Sequence, residues 1–312
     1  MAANAKNKPC IRLLKQPKRH EYIMRIYRHN PTLLPRAWRR KQQARKLRLR
    51  ACVGMLALAL LACVAQNTAA QGTQKVYRHQ NQAWVSLNST IKVADKWALL
   101  GDVHVRRNQF LTDPNFYFLR AGGAYFLKPK LTVAAGYAHM WLAAPTPSGR
   151  FVFGNENRVY QQLQWAFPLT KNTNFTLLQR IRNEQRWQQK IVNGSPTSNY
   201  RFTNRVRYLA SVSIPVFKSQ KLPKLMLANE LLLHFGKEVQ INAFDQNRLT
   251  IGIQQRLSKT FSFDFGYMHL VQRKIFGYQY DVNHTLRLFF YYNGSLEKQP
   301  HAHQRHHHSG EE

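Results

Sequence analysis

Cysteine is scarce in this chain and is confined to its N-terminal part. The 312 residues contain three cysteines, Cys10, Cys52 and Cys63, and none follows residue 63. The rest of the chain therefore has no thiol and cannot form a disulfide. Export through an oxidising compartment carries no penalty for such a segment, because it has no cysteine to mispair.

Acidic residues are also few, and their shortage is uneven. The chain has 14 Asp and Glu against 47 Lys and Arg, a formal net charge of +33. Residues 1–70 hold 16 of the basic residues and a single acid, Glu21, which leaves 31 basic and 13 acidic groups in the remainder. The basic stretch 36–50 is of a kind that binds nucleic acid. The apolar run that follows it favours the positive flank of an export signal instead, and we expect no nucleic-acid partner.

That apolar run covers residues 51–65. It is fifteen residues long, whereas a membrane-spanning helix needs about 20. It is followed by the small residues 68–70, and a basic flank, a short apolar run and a small-residue exit are typical of a secretory signal peptide. We expect cleavage near Ala70-Gln71. A single anchoring helix is the alternative, and residues 60–63 resemble a lipoprotein processing site.

Long apolar runs are absent after residue 70, and alternation takes their place. Apolar side chains occupy every second position, as in strands whose two faces have different surroundings. For example, Leu249, Ile251 and Ile253 alternate with Arg248 and Thr250. No helical period of comparable length appears in this region. Eleven segments show the strand pattern: 82–92, 97–108, 116–126, 131–142, 155–167, 173–187, 200–216, 224–236, 247–257, 261–272 and 280–293.

The alternation predicts a barrel with its polar face inside. An arginine on the lipid face at the bilayer midplane costs about 2–4 kcal/mol, and several such residues would exceed a typical domain stability of about 5–15 kcal/mol. The charged face must therefore line the lumen. The sequence thus predicts an all-β fold, a transmembrane antiparallel up-and-down β-barrel. The charged residues predicted to face the lumen are Asp102, Arg106, Arg120, Glu156, Arg158, Arg180, Arg182, Glu184, Arg186, Arg205, Arg207, Glu230, Arg248, Arg256, Asp264 and Arg287.

About twelve strands are expected, with ten as the alternative. Bacterial single-chain barrels have even strand numbers, because the first and last strands close antiparallel. The eleven segments then need one more strand, which residues 74–82 would supply. The connections alternate between short turns that contain lysine and longer loops rich in glycine, proline and polar residues, as expected for the two different ends of such a barrel.

One hairpin occurs twice in the chain. Residues 127–140 run from Leu-Lys-Pro-Lys-Leu to Gly-Tyr-Ala-His-Met, and residues 257–270 run from Leu-Ser-Lys-Thr-Phe to Gly-Tyr-Met-His-Leu. The turn, the strand and the spacing between them correspond in the two copies. The repeat supports a meander of equivalent hairpins.

Two interpretations of the lumen stay open. Arginines outnumber acids in the predicted inward set. In the first interpretation, arginine–carboxylate pairs knit the interior shut, since long side chains fill a narrow barrel. In the second, the arginine surplus makes a small-solute channel that favours anions. A soluble β-protein that binds polyanions is a further alternative for the chain as a whole.

Aromatic residues cluster near the predicted strand ends. Transmembrane barrels carry such residues as girdles where the exterior meets the lipid headgroups. Ordinary core packing is the alternative explanation. The predicted girdle residues are Trp84, Trp97, Trp141, Trp165, Trp187, Tyr291 and Tyr292.

Signs of catalysis are weak. Neither GxSxG nor HExxH occurs, and we predict that the chain is not an enzyme and needs no cofactor. A membrane-embedded enzyme that modifies lipid or polysaccharide is the alternative function. Its candidate residues are His139 and His269, which face outward by parity without a serine beside them, and His104 and His234, which face inward near acids.

The C-terminal residues are rich in histidine. Imidazole clusters bind zinc, copper or nickel, but a flexible tail binds weakly, so a solvated disordered tail is the preferred interpretation. We therefore predict no metal site. The weak candidates for metal ligands are His301, His303, His306, His307 and His308.

Several stretches resemble a known family. They include Glu-Asn-Arg at 156–158, Arg-Ile-Arg-Asn-Glu-Gln-Arg at 180–186, Arg-Phe-Thr-Asn-Arg-Val-Arg at 201–207 and Phe-Asp-Gln-Asn-Arg at 244–248. Over about 80–293 the chain resembles the family called domain of unknown function 2490. The resemblance implies an outer-membrane β-barrel of Gram-negative bacteria with no established activity, and it supplies no catalytic residues. The basic extension and the histidine-rich tail depart from the family pattern.

These predictions divide the chain into three parts. Residues 1–70 are a basic extension with a cleaved signal peptide, 71–293 an outer-membrane barrel and 294–312 a disordered tail. The expected partners are outer-membrane lipid and the barrel-assembly machinery, which reads an amphipathic last strand ending in aromatic residues such as Phe290 and Tyr292. The sequence identifies no ligand.

Overall fold

The structure is a computed structural model that describes residues 75–169, 175–217, 219, 222–239, 243–274 and 278–296. The predicted signal segment and almost all of the predicted tail lie outside these residues. Among the residues described, no helix is long and apolar enough to cross a membrane. The strands of the described part are β1 (Val76–Ala94), β2 (Trp97–Asn108), β3 (Asp113–Lys128), β4 (Leu131–Pro145), β5 (Phe151–Pro168), β6 (Thr176–Val192), β7 (Ser195–Pro215), β8 (Lys224–Phe235), β9 (Phe244–Arg256), β10 (Phe261–Arg273) and β11 (Gln279–Ser295).

The strands form one closed barrel. Each strand pairs antiparallel with the next in the chain, and β1 closes the barrel by pairing with β11 in parallel. The closing pair is long, since Val76 lies opposite Gln279 and Lys92 lies opposite Ser295. The predicted all-β barrel and its meander topology are therefore confirmed.

The described residues form eleven strands rather than the expected twelve. The prediction assigns a separate strand to 74–82, but residues 76–82 are the first part of β1, which continues without a turn to Ala94. The sequence of β1 contains neither glycine nor proline, the residues that most often mark a turn. With an odd number of strands, the first and last run in the same direction, and a parallel pair completes the ring of hydrogen bonds.

The chain turns at two ends of the barrel. The end that carries the connections after β2, β4, β6, β8 and β10 is called the Gln109 end, and the opposite one the Asp95 end. The predicted contrast between short and long connections is wrong, because connections of two to eight residues occur at both ends. Strands extend into the predicted loops instead. At the β6–β7 turn, Asn193 and Gly194 have φ values of 51° and 73°, as in a tight two-residue hairpin.

Alternation along the strands separates two faces with opposite character. On β9, Leu249 and Ile251 are 50% and 51% exposed, whereas Arg248 and Thr250 are 9% and 3% exposed. In a water-soluble protein the apolar pair would be the buried one. Polar side chains therefore occupy the interior and apolar side chains form the exterior, the arrangement of a barrel whose surroundings are lipid.

The repeated hairpin places glycines opposite one another on the inner face. Gly136 lies opposite Gly122, and Gly266 lies opposite Gly252. A Cβ atom at any of the four would overlap backbone atoms of the neighbouring strand. Glycine kinks let a sheet curve into a barrel. At Gly122 and Gly136 the ring of Tyr160 fills the space that side chains would need.

Aromatic side chains mark both ends of the exterior. Near the Asp95 end, Trp97 packs edge-on against Tyr125, with ring centroids 4.9 Å apart. Toward the Gln109 end, the ring centroids of Trp187 and Phe202 are 5.1 Å apart, and Trp141 is 38% exposed. These positions agree with the predicted girdles.

Two of the predicted girdle residues lie inside the barrel instead. Trp84 is 4% exposed, and the Tyr291 hydroxyl donates to Asp264 Oδ2 at 2.6 Å. Strand parity explains both exceptions. Trp84 shares the inward parity of Ser86, and Tyr291 shares that of Arg287. Strand parity therefore predicts whether an aromatic side chain faces lipid better than its nearness to a strand end does.

Candidate functional site

The lumen has two walls of different chemistry. Strands β5 to β9 supply one wall, in which charged side chains project inward and contact one another. This wall is called the ionic wall. Its members are Glu156, Arg158, Arg180, Arg182, Glu184, Arg186, Arg205, Arg207, Glu230, Asp245 and Arg248.

Glu184 on β6 is the most connected carboxylate of the ionic wall. Strand register places it directly opposite Arg205 of β7, and Arg205 Nε donates to Glu184 Oε2 at 2.9 Å. Arg207 Nη1 donates to the other oxygen at 2.8 Å. Arg158 and Arg182 lie within 3.8 Å. Glu184 is 3% exposed, so four guanidinium groups replace the water that this carboxylate has lost.

A second carboxylate, Glu230, is held in the same way. Glu230 on β8 accepts from Arg180 Nη2 at 2.8 Å and from Arg248 Nη1 at 3.1 Å, and it also holds Arg207. Each carboxylate therefore joins at least two strands. Because the arginines are shared between carboxylates, the pairs form one network instead of separate bridges.

Glu156 on β5 extends the same network. Arg186 of β6 donates to it through Nε at 2.8 Å, and Arg158 contacts it from two residues along the same strand. Glu156 is 1% exposed. Arg158 also approaches Glu184 and Arg186 also approaches Asp245, so Glu156 belongs to the same network.

Asp245 completes the network and was not predicted to face the lumen. Arg205 Nη1 donates to its Oδ2 at 3.2 Å, and Arg186 and His234 lie 3.9 Å away. The pairing of β8 with β9 shifts by one residue at this point. Leu232 lies opposite Gln246 and Leu233 lies opposite Phe244, so Asp245 is an extra residue in β9. This bulge turns Asp245 inward. A single sequence gives no parity signal for such a residue, because the extra position breaks the alternation.

The opposite wall is mainly apolar and comes from β1 to β4, β10 and β11. Trp84 packs with Met268, Leu270 and Phe289 in one cluster. Phe118 and Met140 belong to a second cluster beside it. This apolar wall comprises Trp84, Phe116, Phe118, Met140, Leu142, Met268, Leu270 and Phe289.

Two isolated ion pairs flank the apolar wall. Arg120 binds Asp102 across the β2–β3 pair. Arg287 donates to both oxygens of Asp264, at 3.0 and 3.1 Å. Both carboxylates belong to the predicted inward set. Each pair is local to two neighbouring strands, which contrasts with the shared arginines of the ionic wall.

Arg106 on β2 differs from the other inward arginines. Its guanidinium carbon lies 3.4 Å from the ring centroid of Trp84 and 4.4 Å from that of Phe116. Among the described residues no carboxylate pairs with it, and its Nε has no hydrogen-bond partner. Arg248 approaches the same Trp84 ring, at 5.3 Å. Stacking on an aromatic face attracts a guanidinium, but it gives Arg106 Nε no hydrogen-bond acceptor among the described residues.

His104 lies close to Arg106 on the same strand and is also without a polar partner. It is 8% exposed, and neither ring nitrogen is hydrogen-bonded within the described part of the chain. Its ring stands edge-on to Phe118 and Phe289, at 4.8 and 5.7 Å between centroids. A buried polar group without a partner is costly. His104 and Arg106 therefore provide two unsatisfied groups at one place in the lumen.

A cavity of about 330 Å³ separates the two walls. Arg106, His104, Trp84 and Met268 border it from one side, and Arg180, Arg207 and other members of the ionic wall from the other. Its volume is at the lower end of the range of small-molecule sites, about 300–1,000 Å³. The cavity is thus a small space with the arginines of the ionic wall on one side and aromatic and methionine side chains, together with Arg106 and His104, on the other.

The structure places fifteen of the sixteen predicted charged residues either on this cavity or in the ion pairs around it. Arg256 is the exception, since it is exposed where β9 reaches the Asp95 end. Trp84 was missed as a lumen residue, although its parity with Gln82 and Ser86 carries the signal. Asp245 was missed because of the bulge.

The histidines proposed for catalysis are not assembled into a catalytic group. His139 Nδ1 lies 2.8 Å from Asn157 Oδ1, and the ring of His269 stands edge-on to that of His284, both on the exterior. His234 contacts Arg273. In the described part of the chain no serine is hydrogen-bonded to these histidines, and no cluster of three or more His, Cys, Asp or Glu could hold a metal ion. The histidines of the tail lie outside the described residues.

Comparisons with known proteins place the chain in a family. One solved structure that it matches is the NanC porin in a rhombohedral crystal form, with 13% sequence identity and a TM-score of 0.36 over 59% of this chain and 78% of the porin chain. No curated protein gives a significant match. A family model described as protein of unknown function (DUF2490) matches residues 81–275, which is more than half of the chain and confirms the resemblance seen in the sequence. The chain belongs to the DUF2490 family.

Proposed function

We propose that this chain is an outer-membrane β-barrel that gives small anions a narrow path through its lumen. One observation carries the proposal. The barrel has an apolar exterior, and ten of the fifteen predicted charged residues that lie on the cavity or in the ion pairs around it are arginines. An apolar exterior needs a lipid environment, and a basic interior favours negatively charged solutes.

The carboxylates of the lumen do not cancel this preference. Glu156, Glu184 and Glu230 are each held by two or more arginines, so their negative charge is already neutralised within the wall. Low-dielectric walls focus the remaining positive potential into the lumen. An entering anion therefore meets guanidinium donors, whereas a cation meets charge of its own sign.

The path is narrow because side chains fill most of the barrel. Buried carboxylates and arginines extend inward from β5 to β9, and aromatic and methionine side chains extend from the other strands. Barrels with few strands have interiors that side chains can fill. We therefore expect a much smaller conductance than that of a wide water-filled porin.

The location is tested by fractionation of cells that express the full chain. The barrel is expected with the outer membranes and absent from the soluble extract. Its electrophoretic mobility should change when the sample is boiled in detergent, because a closed barrel stays folded until it is heated. Recovery in the soluble fraction without detergent would contradict the location and support the soluble polyanion-binding alternative.

The path is tested by recording from the purified barrel in a planar lipid bilayer with a potassium chloride gradient. We expect small currents whose reversal potential has the sign of chloride selectivity. Arg106→Gln, which removes a charge that no carboxylate of the described residues balances, should reduce that selectivity. Arg150→Gln, which removes a charge from an exposed loop, is the matched control and should leave it unchanged. Cation selectivity, or no current from a correctly folded barrel, would contradict the proposal.

A further inference from the structure

The cavity between the two walls contains groups whose bonding is incomplete. Arg106 lines it with a guanidinium that has no carboxylate partner among the described residues, and its Nε makes no hydrogen bond there. A guanidinium is permanently charged and carries five donors. An anion in the cavity would supply the missing partner, and a planar carboxylate matches the fork of donors best.

The same cavity offers an apolar surface beside that charge. Met268 and Leu270 are both 2% exposed and pack with Trp84 and Phe289. Methionine adapts its shape to aromatic rings and makes favourable sulfur–aromatic contacts. A flat apolar ring could lie against this surface while its charged group reaches Arg106.

His104 adds one polar group to the apolar side. It is more than nine-tenths buried, lines the cavity and has no partner for either nitrogen in the described part of the chain. A neutral imidazole provides one donor and one acceptor. Both nitrogens are themselves buried in the wall, so His104 contributes polarity beside the cavity and would contact a ligand only if its ring turned toward it.

Two of the amides that line the cavity already take part in hydrogen bonds. Gln82 already donates to Asn108 and Asn283, at 3.0 and 3.1 Å. Gln246 accepts from Arg248. A ligand with many hydroxyl groups would therefore leave most of them without a partner on this side, which favours an aromatic body over a carbohydrate one.

We infer that the cavity is a binding site for a small aromatic carboxylate, with the carboxylate on Arg106 and the ring against Met268, Leu270 and Phe289. The volume of about 330 Å³ suits a single-ring molecule and excludes a polymer. This inference deepens the proposed function, because it names the class of anion for which the narrow path is built.

The experiment uses the purified full barrel in detergent and three probes, phenylacetate, acetate and benzyl alcohol, with binding measured by equilibrium dialysis. Phenylacetate has both the charge and the ring, and each of the other two lacks one of them. We expect phenylacetate to bind at least tenfold more tightly than either. Equal binding of phenylacetate and acetate, or of phenylacetate and benzyl alcohol, would overturn the inference.

Variants locate the site within the barrel. Arg106→Gln should weaken phenylacetate binding at least tenfold and leave benzyl alcohol unchanged, and Met268→Ala should weaken phenylacetate while acetate stays the same. Arg106→Lys keeps the charge without the planar fork and should give an intermediate loss. Arg150→Gln is the control and should bind as the original chain does. The heat-dependent mobility shift shows which variants are folded, and unchanged binding by folded Arg106→Gln would overturn the site.

The outcomes separate this inference from the proposed function. If phenylacetate binds as expected but the bilayer shows no anion current, the binding site stands and the path fails. If the bilayer shows anion selectivity but phenylacetate binds no better than acetate, the path stands and the aromatic site fails.

Discussion

The two walls of the lumen obey the same strand geometry and are held together by different forces. In the ionic wall, Glu184 connects several arginines on neighbouring strands. In the apolar wall, Trp84 and Met268 meet through van der Waals contact. Strand parity only decides that a side chain faces inward. The residue type then decides whether the wall is a directed network of charges or a packed surface.

This difference has consequences for rigidity and for binding. A network of charge-assisted hydrogen bonds fixes the position of every member, because moving one guanidinium leaves a carboxylate unpaired. An apolar surface that contains methionine can adjust to a guest. One wall therefore acts as a rigid frame of fixed charge, and the other as a surface that can change shape beside it.

The largest expected effect is the loss of the central carboxylate of the ionic wall. Glu184→Gln keeps the size of the side chain but leaves Arg205 and Arg207 without their shared partner. Breaking one partner of a buried pair typically costs about 3–5 kcal/mol. The free energy of unfolding, measured by urea titration of the barrel in lipid vesicles, should fall by that amount.

Glu238→Gln provides the matched control on the surface. Glu238 pairs with Lys190 at 3.1 Å, and both side chains are 43% exposed. Exposed pairs contribute about 0–1 kcal/mol. An equal effect of the two substitutions would show that the ionic wall is in contact with water and does not act as a buried network.

The next largest effect tests whether the apolar face of the strands is the exterior of the barrel. Ile251 lies on the exterior, half exposed, beside the inward Thr250. Ile251→Arg should lower the free energy of unfolding in vesicles by about 2–4 kcal/mol, the cost of an arginine near the midplane of a bilayer. Ile251→Val is the control and should change it little. If Ile251→Arg had no effect, the apolar exterior would not be in contact with hydrocarbon.

A smaller effect is expected in the apolar wall. Met268 is 2% exposed and borders the cavity. Met268→Ala should cost about 2 kcal/mol, the low end of the range for large-to-small core substitutions, because the site already adjoins empty space. Met268→Leu keeps the volume and should cost less than about 1.5 kcal/mol. A loss as large as that of Glu184→Gln would mean that the two walls contribute equally to stability.

Much of both walls could be read from the sequence, because one period governs both. Alternation on β6 placed Arg182 and Glu184 inside, and the structure gives their partners. Even the eleven segments correspond to the eleven described strands. The alternation does not determine which strands pair to close the barrel. The parallel pairing of β1 with β11 could therefore not be predicted from it.

Other features escaped the sequence for local reasons. Asp245 faces inward through a bulge, and an extra residue in one strand leaves no trace in a simple alternation. Trp84 carried two conflicting signals, since its residue type suggested a girdle and its parity indicated the lumen. The cavity itself depends on which arginines find carboxylates. Arg106 is distinguished only by the absence of a partner among the described residues, and that is a property of three-dimensional packing.

The smallest expected effect is the salt dependence of these stability losses, which distinguishes buried from exposed ion pairs. Raising the ionic strength from 0.1 to 1 M shortens the Debye length from about 10 Å to about 3 Å, which screens exposed pairs much more than buried ones. The loss caused by Glu238→Gln should therefore shrink toward zero at 1 M salt, whereas the loss caused by Glu184→Gln should stay nearly constant. Urea titrations of both variants at the two salt concentrations measure this. A Glu184→Gln effect that faded with salt would place counterions, and hence open water, inside the ionic wall.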